Sequence, residues 1–205
     1  MIDWESIDSA LFDWVQTSFD GIGEEVSLNN GQIIWANQNI PQPAYPYITL
    51  RRDSLIRLGG RDEIRQSVDM SQPQGQEVAL ETVGVREFTL TLNAFVDEQT
   101  GANNPNCDAI YLLSVLQSSL SQQSIIEAFC LSGIAVVEEL AVTDLSEVVN
   151  GLFISRASMG VRFRTTFTCI ERTGFIDTVE IQSVPSNPSD PNDVSGVSLT
   201  VQLNN

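Results

Sequence analysis

Apolar positions recur along this chain at two periods, and each switch of period marks an element. Ile7, Ala10, Leu11, Trp14, Val15 and Phe19 fall at helix spacing. Ser6 is placed to cap that helix, Asp8 sits in a first turn that favours negative charge, and Asp20-Gly21-Ile22-Gly23 ends it. The short apolar run Ile33-Ile34-Trp35-Ala36 is followed by Pro41, Pro43 and Pro46, which forbid a helix and demand an extended or turning path. A strand is expected from Tyr47 to Leu58, then a polar loop over 59–76. Beyond it Phe88, Leu90, Leu92, Ala94 and Val96 alternate with Thr89, Thr91 and Asn93, a strand with one buried face. The loop therefore joins two strands, as a long hairpin with a mobile tip.

The second half repeats the logic. After the turn-rich Thr100–Asn106, a helix is expected over Cys107–Ser121, burying Ala109, Ile110, Leu112, Leu113, Leu116 and Leu120. A shorter helix over Ser124–Leu131 stops at Gly133, and a strand runs over Ile134–Val142. Asp144-Leu145-Ser146 opens a connection. Ala157, Met159, Val161, Phe163, Thr165, Phe167 and Cys169 then alternate with a polar set that includes Arg162 and Arg164. One face of that strand is core and the other is wet or faces a partner. The pattern as a whole reads as α+β: a mostly antiparallel sheet flanked by helices.

The ending changes character. Residues 183–193 are polar and broken by three prolines, and Val197, Leu199, Val201 and Leu203 then alternate with polar residues. This divides the chain into a main domain, 1–182, and a linker with a C-terminal arm, 183–205. A strand on such a leash either folds back or adds to the edge of another subunit's sheet. Val197, Leu199, Val201 and Leu203 are thus candidate docking residues.

Composition narrows the chemistry. The 205 residues contain no histidine and no lysine, and ten arginines face 27 carboxylates for a net charge of −17. No imidazole is present to act as a base or metal ligand, and no lysine to form a Schiff base or grip phosphate. The charge repels nucleic acid. The three cysteines are odd in number, lack metal-ligand spacing and read as reduced, buried thiols. The acidic opening has no apolar run behind it, so neither a secretory signal nor a membrane span is expected. The carboxylate pairs Glu24-Glu25, Asp62-Glu63 and Glu138-Glu139 read as solvated surface, and Asp97-Glu98 with Asn103-Asn104 as a plain turn before a weak calcium site. No phosphate loop, dinucleotide fingerprint or nucleophile elbow occurs, so no cofactor, metal or catalytic residue is expected.

Half of the arginines, Arg51, Arg52, Arg57, Arg61 and Arg65, crowd into one strand and its loop. In so acidic a chain they locally invert the charge. Nucleic-acid contact is one reading; arginine forks paired with carboxylates of another copy is the favoured one, with scattered surface pairs as the plain alternative.

Several blocks together resemble a known family. Ile34-Trp35-Ala36-Asn37-Gln38-Asn39-Ile40-Pro41-Gln42-Pro43-Ala44-Tyr45-Pro46-Tyr47-Ile48-Thr49-Leu50-Arg51 is similar to the opening of the phage neck terminator, or tail-terminator-like, family. Leu131–Val137, Asp144-Leu145-Ser146, Ser155–Met159 and Phe175–Ile181 resemble its second half, so the likeness spans about residues 5–182. The tail from Ser183 onward lies outside it. The resemblance implies a virion protein of a long-tailed phage, assembled in the host cytoplasm. It further implies an α+β fold and a ring, commonly hexameric, that caps the tail tube, stops its growth and joins the head connector or neck proteins. No catalytic residue comes with it.

Tail tube protein, neck proteins, a sheath protein and further copies of the chain are the partners so implied. Six copies at −17 would line a lumen through which genomic DNA slides without tight binding. Arginines at the subunit boundary, Arg162 and Arg164 beside the first cluster, would offset the mutual repulsion. The rival readings are another head–tail connector or baseplate ring and, from a different class, a carbohydrate-binding module on a virion fibre. The last needs Trp4, Trp14 and Trp35 exposed as a sugar platform.

Overall fold

A computed structural model of the chain describes residues 1–20, 28, 30–37, 41–73, 76–97, 108–149, 151–174, 178–184 and 196–202. Helix α1 spans Trp4–Asp20 and begins three residues earlier than its serine suggests. Asp3, not Ser6, caps it: the Asp3 carboxylate accepts the Ser6 amide at 3.2 Å and its carbonyl accepts the Ile7 amide at 3.2 Å. Whether Gly21 and Gly23 end the helix lies outside the described residues. Strands β1 (Ile33–Trp35), β2 (Tyr47–Val68) and β3 (Val78–Asp97) follow. Helix α2 covers Ala109–Ser119, shorter than expected at both ends, because Asp108 caps it by accepting the Tyr111 amide. Helix α3 covers Gln123–Leu131 and stops where Gly133 adopts φ +72°, a conformation that costs glycine little and other residues more.

Strand β4 (Ile134–Glu139) ends earlier than the apolar run, and the chain then winds along one long partner through β5 (Thr143–Asp144) and β6 (Glu147–Val149). That partner is β7 (Leu152–Thr173). Strands β8 (Thr178–Val184) and β9 (Gly196–Gln202) complete the series. The main sheet runs in the order β1-β2-β3-β7-β4, with β5 and β6 also on β7. Strand β1 is parallel to β2, pairing Ile33 with Ile48 and Trp35 with Leu50, whereas β4, β5 and β6 are antiparallel to β7. The fold is therefore the α+β class with a mostly antiparallel sheet.

Strand alternation decides which face is buried. Ile48 and Leu50 of β2, Phe88 to Val96 at alternate positions of β3, and Ala157, Met159, Val161 and Phe163 of β7 all point to one face and form the core with the helices. Phe163 is the centre of an aromatic cluster. It stacks on Phe88 at 5.5 Å and meets Phe129 of α3 edge-on at 5.4 Å, with Trp14 of α1 at 6.4 Å. The Trp14 indole N–H donates to Ser119 Oγ at 2.8 Å, and Ser119 donates in turn to the Leu116 carbonyl. Ser18 Oγ lies 2.8 Å from Ser119 and 2.7 Å from the Trp14 carbonyl, with one proton to give.

The contacts divide the chain into two compact units, Met1–Gly60 with Gly84–Phe167, and Arg61–Val83 with Thr168–Asn205. The first holds the core just described. In the second, β8 and β9 form an antiparallel pair from Thr178↔Gln202 to Val184↔Gly196. The expected loop over 59–76 is mostly strand, since β2 continues to Val68 and the turn occupies only the residues before Val78. One face of this stretch is glycine and polar residues throughout and the other mixes Asp62 and Gln66 with Ile64 and Val68, so no dry face announces it. Asp69 fixes the turn: its carboxylate accepts the Ser71 amide and hydroxyl at 3.0 and 2.7 Å and the Gln72 amide at 2.8 Å, while its own amide donates to the Glu77 carbonyl. Those bonds, Ser71 first, hold the Asp69 carboxyl at about 2. The two described cysteines, Cys130 and Cys169, are free and exposed rather than buried; Cys107 lies outside the described residues.

Two outcomes follow. Phe163→Ala opens a cavity at the meeting point of four elements and lowers unfolding free energy by about 3–5 kcal/mol, whereas Trp14→Phe keeps an aromatic ring, removes the hydrogen bond to Ser119 and costs about 1–2 kcal/mol, both read by urea denaturation. The Asp69 carboxyl titrates with a midpoint about 2 by carbon NMR, and Ser71→Ala moves that midpoint upward.

Candidate functional site

The helices cover one face of the first unit's sheet; the opposite face carries its polar chemistry. Three groups of side chains stand along it on β2, β3 and β7. At one end Tyr47 stacks on Phe95 at 4.6 Å, Tyr45 leans on Tyr47 at 5.3 Å, and the Arg156 guanidinium lies 5.2 Å over the Phe95 ring. Burial is the main cause that raises the Tyr47 phenol. In the middle Asp53 takes Arg51 at 2.7 Å on one oxygen and the Thr91 hydroxyl on the other.

The third group centres on Glu87, which is only 3% exposed. Arg162 donates to it through Nε at 2.9 Å and through a second nitrogen, and Arg164 reaches its other oxygen at 3.3 Å. Arg162 also pairs with Glu138, which lies directly across the strand pair β4–β7. Strand order explains the arrangement. Strand β7 lies between β3 and β4, so an arginine on its polar face reaches a carboxylate on each neighbour. The Arg162 hydrogen bond is the main cause that lowers the Glu87 carboxyl, assisted by Arg164 and opposed by loss of water. A carboxylate so buried needs that fork to remain charged.

The arginines singled out from the sequence thus divide. Arg162 and Arg164 converge on Glu87 within the subunit. Arg51 pairs with Asp53; Arg52 pairs with Asp8 of α1 at 3.1 Å and stands 4.3 Å over the Trp4 ring. Arg65 forks onto Glu63 at 3.0 and 3.1 Å. Arg57 and Arg61 lie farther along β2, on its exposed stretch. Glu87 itself was not singled out. The available signal was parity, since it shares the polar face of β3 with Thr89, Thr91 and Asn93, opposite two arginines of matching parity on β7.

Two solvent-open hollows flank the helices. One of about 640 Å³ is lined by Glu5, Asp8, Trp35, Asn37 and Arg52, and there burial raises the Asp8 carboxyl against the opposing pull of Arg52. The other, about 380 Å³, is lined by hydroxyls and amides, among them Ser18, Ser114, Ser118 and Gln122. Trp14 is buried, and Trp4 is half-covered by Phe88 and Arg52, so the three tryptophans form no shared exposed platform. Among the described residues no group of acids, cysteines or histidines is placed to hold a metal, and no helix is long and apolar enough to cross a membrane. Of the docking residues, Val197, Leu199 and Val201 lie on β9, opposite Ser183, Ile181 and Val179 of β8, and Leu203 lies outside the described residues.

Lowering a carboxyl by folding sets a sign. Its contribution to stability is present above the ordinary value of 4.5 and is lost as pH falls through the lowered folded value. Glu87→Gln therefore lowers the thermal midpoint at pH 7 and flattens its fall below about pH 4.5, as differential scanning calorimetry across that range will read.

With this geometry in place, comparison with known proteins is informative. The family described as phage neck terminator protein matches residues 5–189. Among solved structures, a chain from the virion of a native gene transfer agent particle aligns over 78% of this chain and 97% of its own, at 12% identity and a TM-score of 0.29. No curated protein matches significantly.

Proposed function

The chain belongs to the phage neck terminator family, a structural component of the virion neck and tail, and from that premise we propose that it forms a ring on the tail tube. The ring stops tube growth, presents the docking surface for the head connector, and performs no catalysis. The family match carries this reading, since it leaves out only the first four and last sixteen residues. Family membership implies neighbours in the tail and the head–neck region. The finer points are ours: a hexameric ring, a lumen through which DNA passes, and contact with a sheath protein.

Physical chemistry supports the mechanism. Each copy brings −17, so a closed ring repels the phosphates that pass through it. Termination is steric: one face of the ring matches the last tube layer and the other offers no tube-like edge. The hairpin of β2 and β3 carries the tube contact in this reading, and the arm from residue 183 onward clasps a neck, sheath or neighbouring subunit. Arg162 and Arg164 serve inside the subunit by holding Glu87, so the boundary arginines are those farther out on β2.

Growing tail tubes test the proposal. Purified protein added to polymerising tube subunits halts elongation, and negative-stain images show added density on one tube end. Tubes that lengthen unchanged with no protein bound would overturn the terminator reading. Binding to the connector alone would transfer the chain to the head side of the neck.

A further inference from the structure

We propose that the chain meets a second copy of itself head to tail, through two complementary edges of one sheet. This rests on the ring reading above and names its contact. The first edge is β2. Strand β1 covers only Ile48–Leu50, and past that point no described strand pairs with β2 on the side away from β3. Leu55 and Ile56 on this stretch are each 53% exposed. Positive φ at Ser54 and Gly59 kinks the strand. Kinks and charges are how a folded chain keeps a long open edge from pairing indiscriminately. The charge is also unusual for this molecule: residues 51–60, the part of β2 that belongs to the first unit, hold Arg51, Arg52 and Arg57 against Asp53, a local +2 in a chain of −17, with Arg51 held by Asp53 and Arg52 by Asp8.

The second edge lies across the sheet, beyond β7. There β6 and the start of β7 form a hairpin that pairs Val148 with Phe153 and Val149 with Leu152 around Gly151. Val148 is 68% exposed and Phe153 47%. Apolar groups grouped on a hairpin tip are costly to leave in water and mark a contact. The segment leading to it, residues 134–149, contains four carboxylates and no basic residue; Arg162 of β7 pairs with Glu138 and Arg156 with Glu147, and Glu139 and Asp144 are the other two.

One edge is thus apolar with arginines, the other apolar with carboxylates. Copies that repel one another over most of their surface can approach where β2 faces this hairpin. Because the two surfaces differ and sit on opposite edges, the contact is heterologous. Contacts of that kind propagate around an axis and close when the rotation divides a full turn.

Charge exchange tests the contact. Arg57→Glu, and separately Glu139→Arg, each weaken assembly about tenfold by light scattering or by rings counted on tube ends. The two changes combined restore it to within about threefold of wild type, with circular dichroism confirming each fold. In a background with all three cysteines replaced by serine, Ile56→Cys with Val148→Cys yields oxidation-dependent ladders between copies. Wild-type rings that persist in either charge variant, or a combination no better than its parts, would sink this contact and leave the ring reading standing. Wild-type protein that forms no ring, alone or on tubes, overturns the ring reading and this contact with it.

Discussion

A buried indole N–H must find an acceptor, and much of this fold follows from where Trp14 finds one. Leaving that donor unpaired in the core costs about 1–3 kcal/mol. Ser119 supplies the acceptor from the last turn of α2, so α1 and α2 are locked in one relative position. The ring of Trp14 then meets Phe129 and Phe163, which ties α3 and β7 to the same point. Phe163 stacks on Phe88 and brings in β3. One tryptophan thus joins three helices to the sheet, its N–H fixing α1 on α2 and its ring meeting α3 and β7.

Committing the helices to one face leaves the other to be balanced by charge. The polar face uses cross-strand ties: Arg162 spans β3 and β4, Asp53 of β2 takes the Thr91 hydroxyl of β3 as well as Arg51 of its own strand, and Arg156 lies over Phe95. With ten arginines and 27 carboxylates, every internal tie removes a cation from the supply available to partners. Arg57, on the exposed stretch of β2, stands in sequence beside exposed Leu55 and Ile56.

Legibility in the sequence tracked burial. Phe88 to Val96 and Ala157 to Phe163 announced their strands because one face is dry and the other wet, and all are buried as the alternation implies. Helix α1 was equally plain from Ile7 to Phe19. The outer half of β2 was hidden because residues such as Ile64 and Val68 stay exposed, so polarity carries no information about pairing there. The α1 cap was misplaced because Asp3 and Ser6 both suit the role, and only the backbone path distinguishes them. Arg162 and Arg164 were visible as a pair, yet their partner was not: Glu87 lies 75 residues from Arg162 along the chain, and strand order alone brings them together. The exposed cysteines reversed expectation: Cys130 lies on the wet face of α3, and Cys169 near the end of β7, where alternate positions are no longer buried.

Net charge also bears on when a ring forms. In the assembly we propose, neighbouring copies each carry −17, and their repulsion acts over roughly 8 Å at physiological ionic strength. A contact of one arginine-bearing edge and one apolar hairpin must exceed that repulsion before a free ring persists. A tube end changes the balance without altering either edge. It holds several copies at fixed spacing, so each subunit-to-subunit contact becomes effectively intramolecular and no longer bears the full entropy of association. In that proposed assembly the acidity assigned to DNA passage also disfavours rings in solution, while the tube end favours them, which is the order of events a terminator requires.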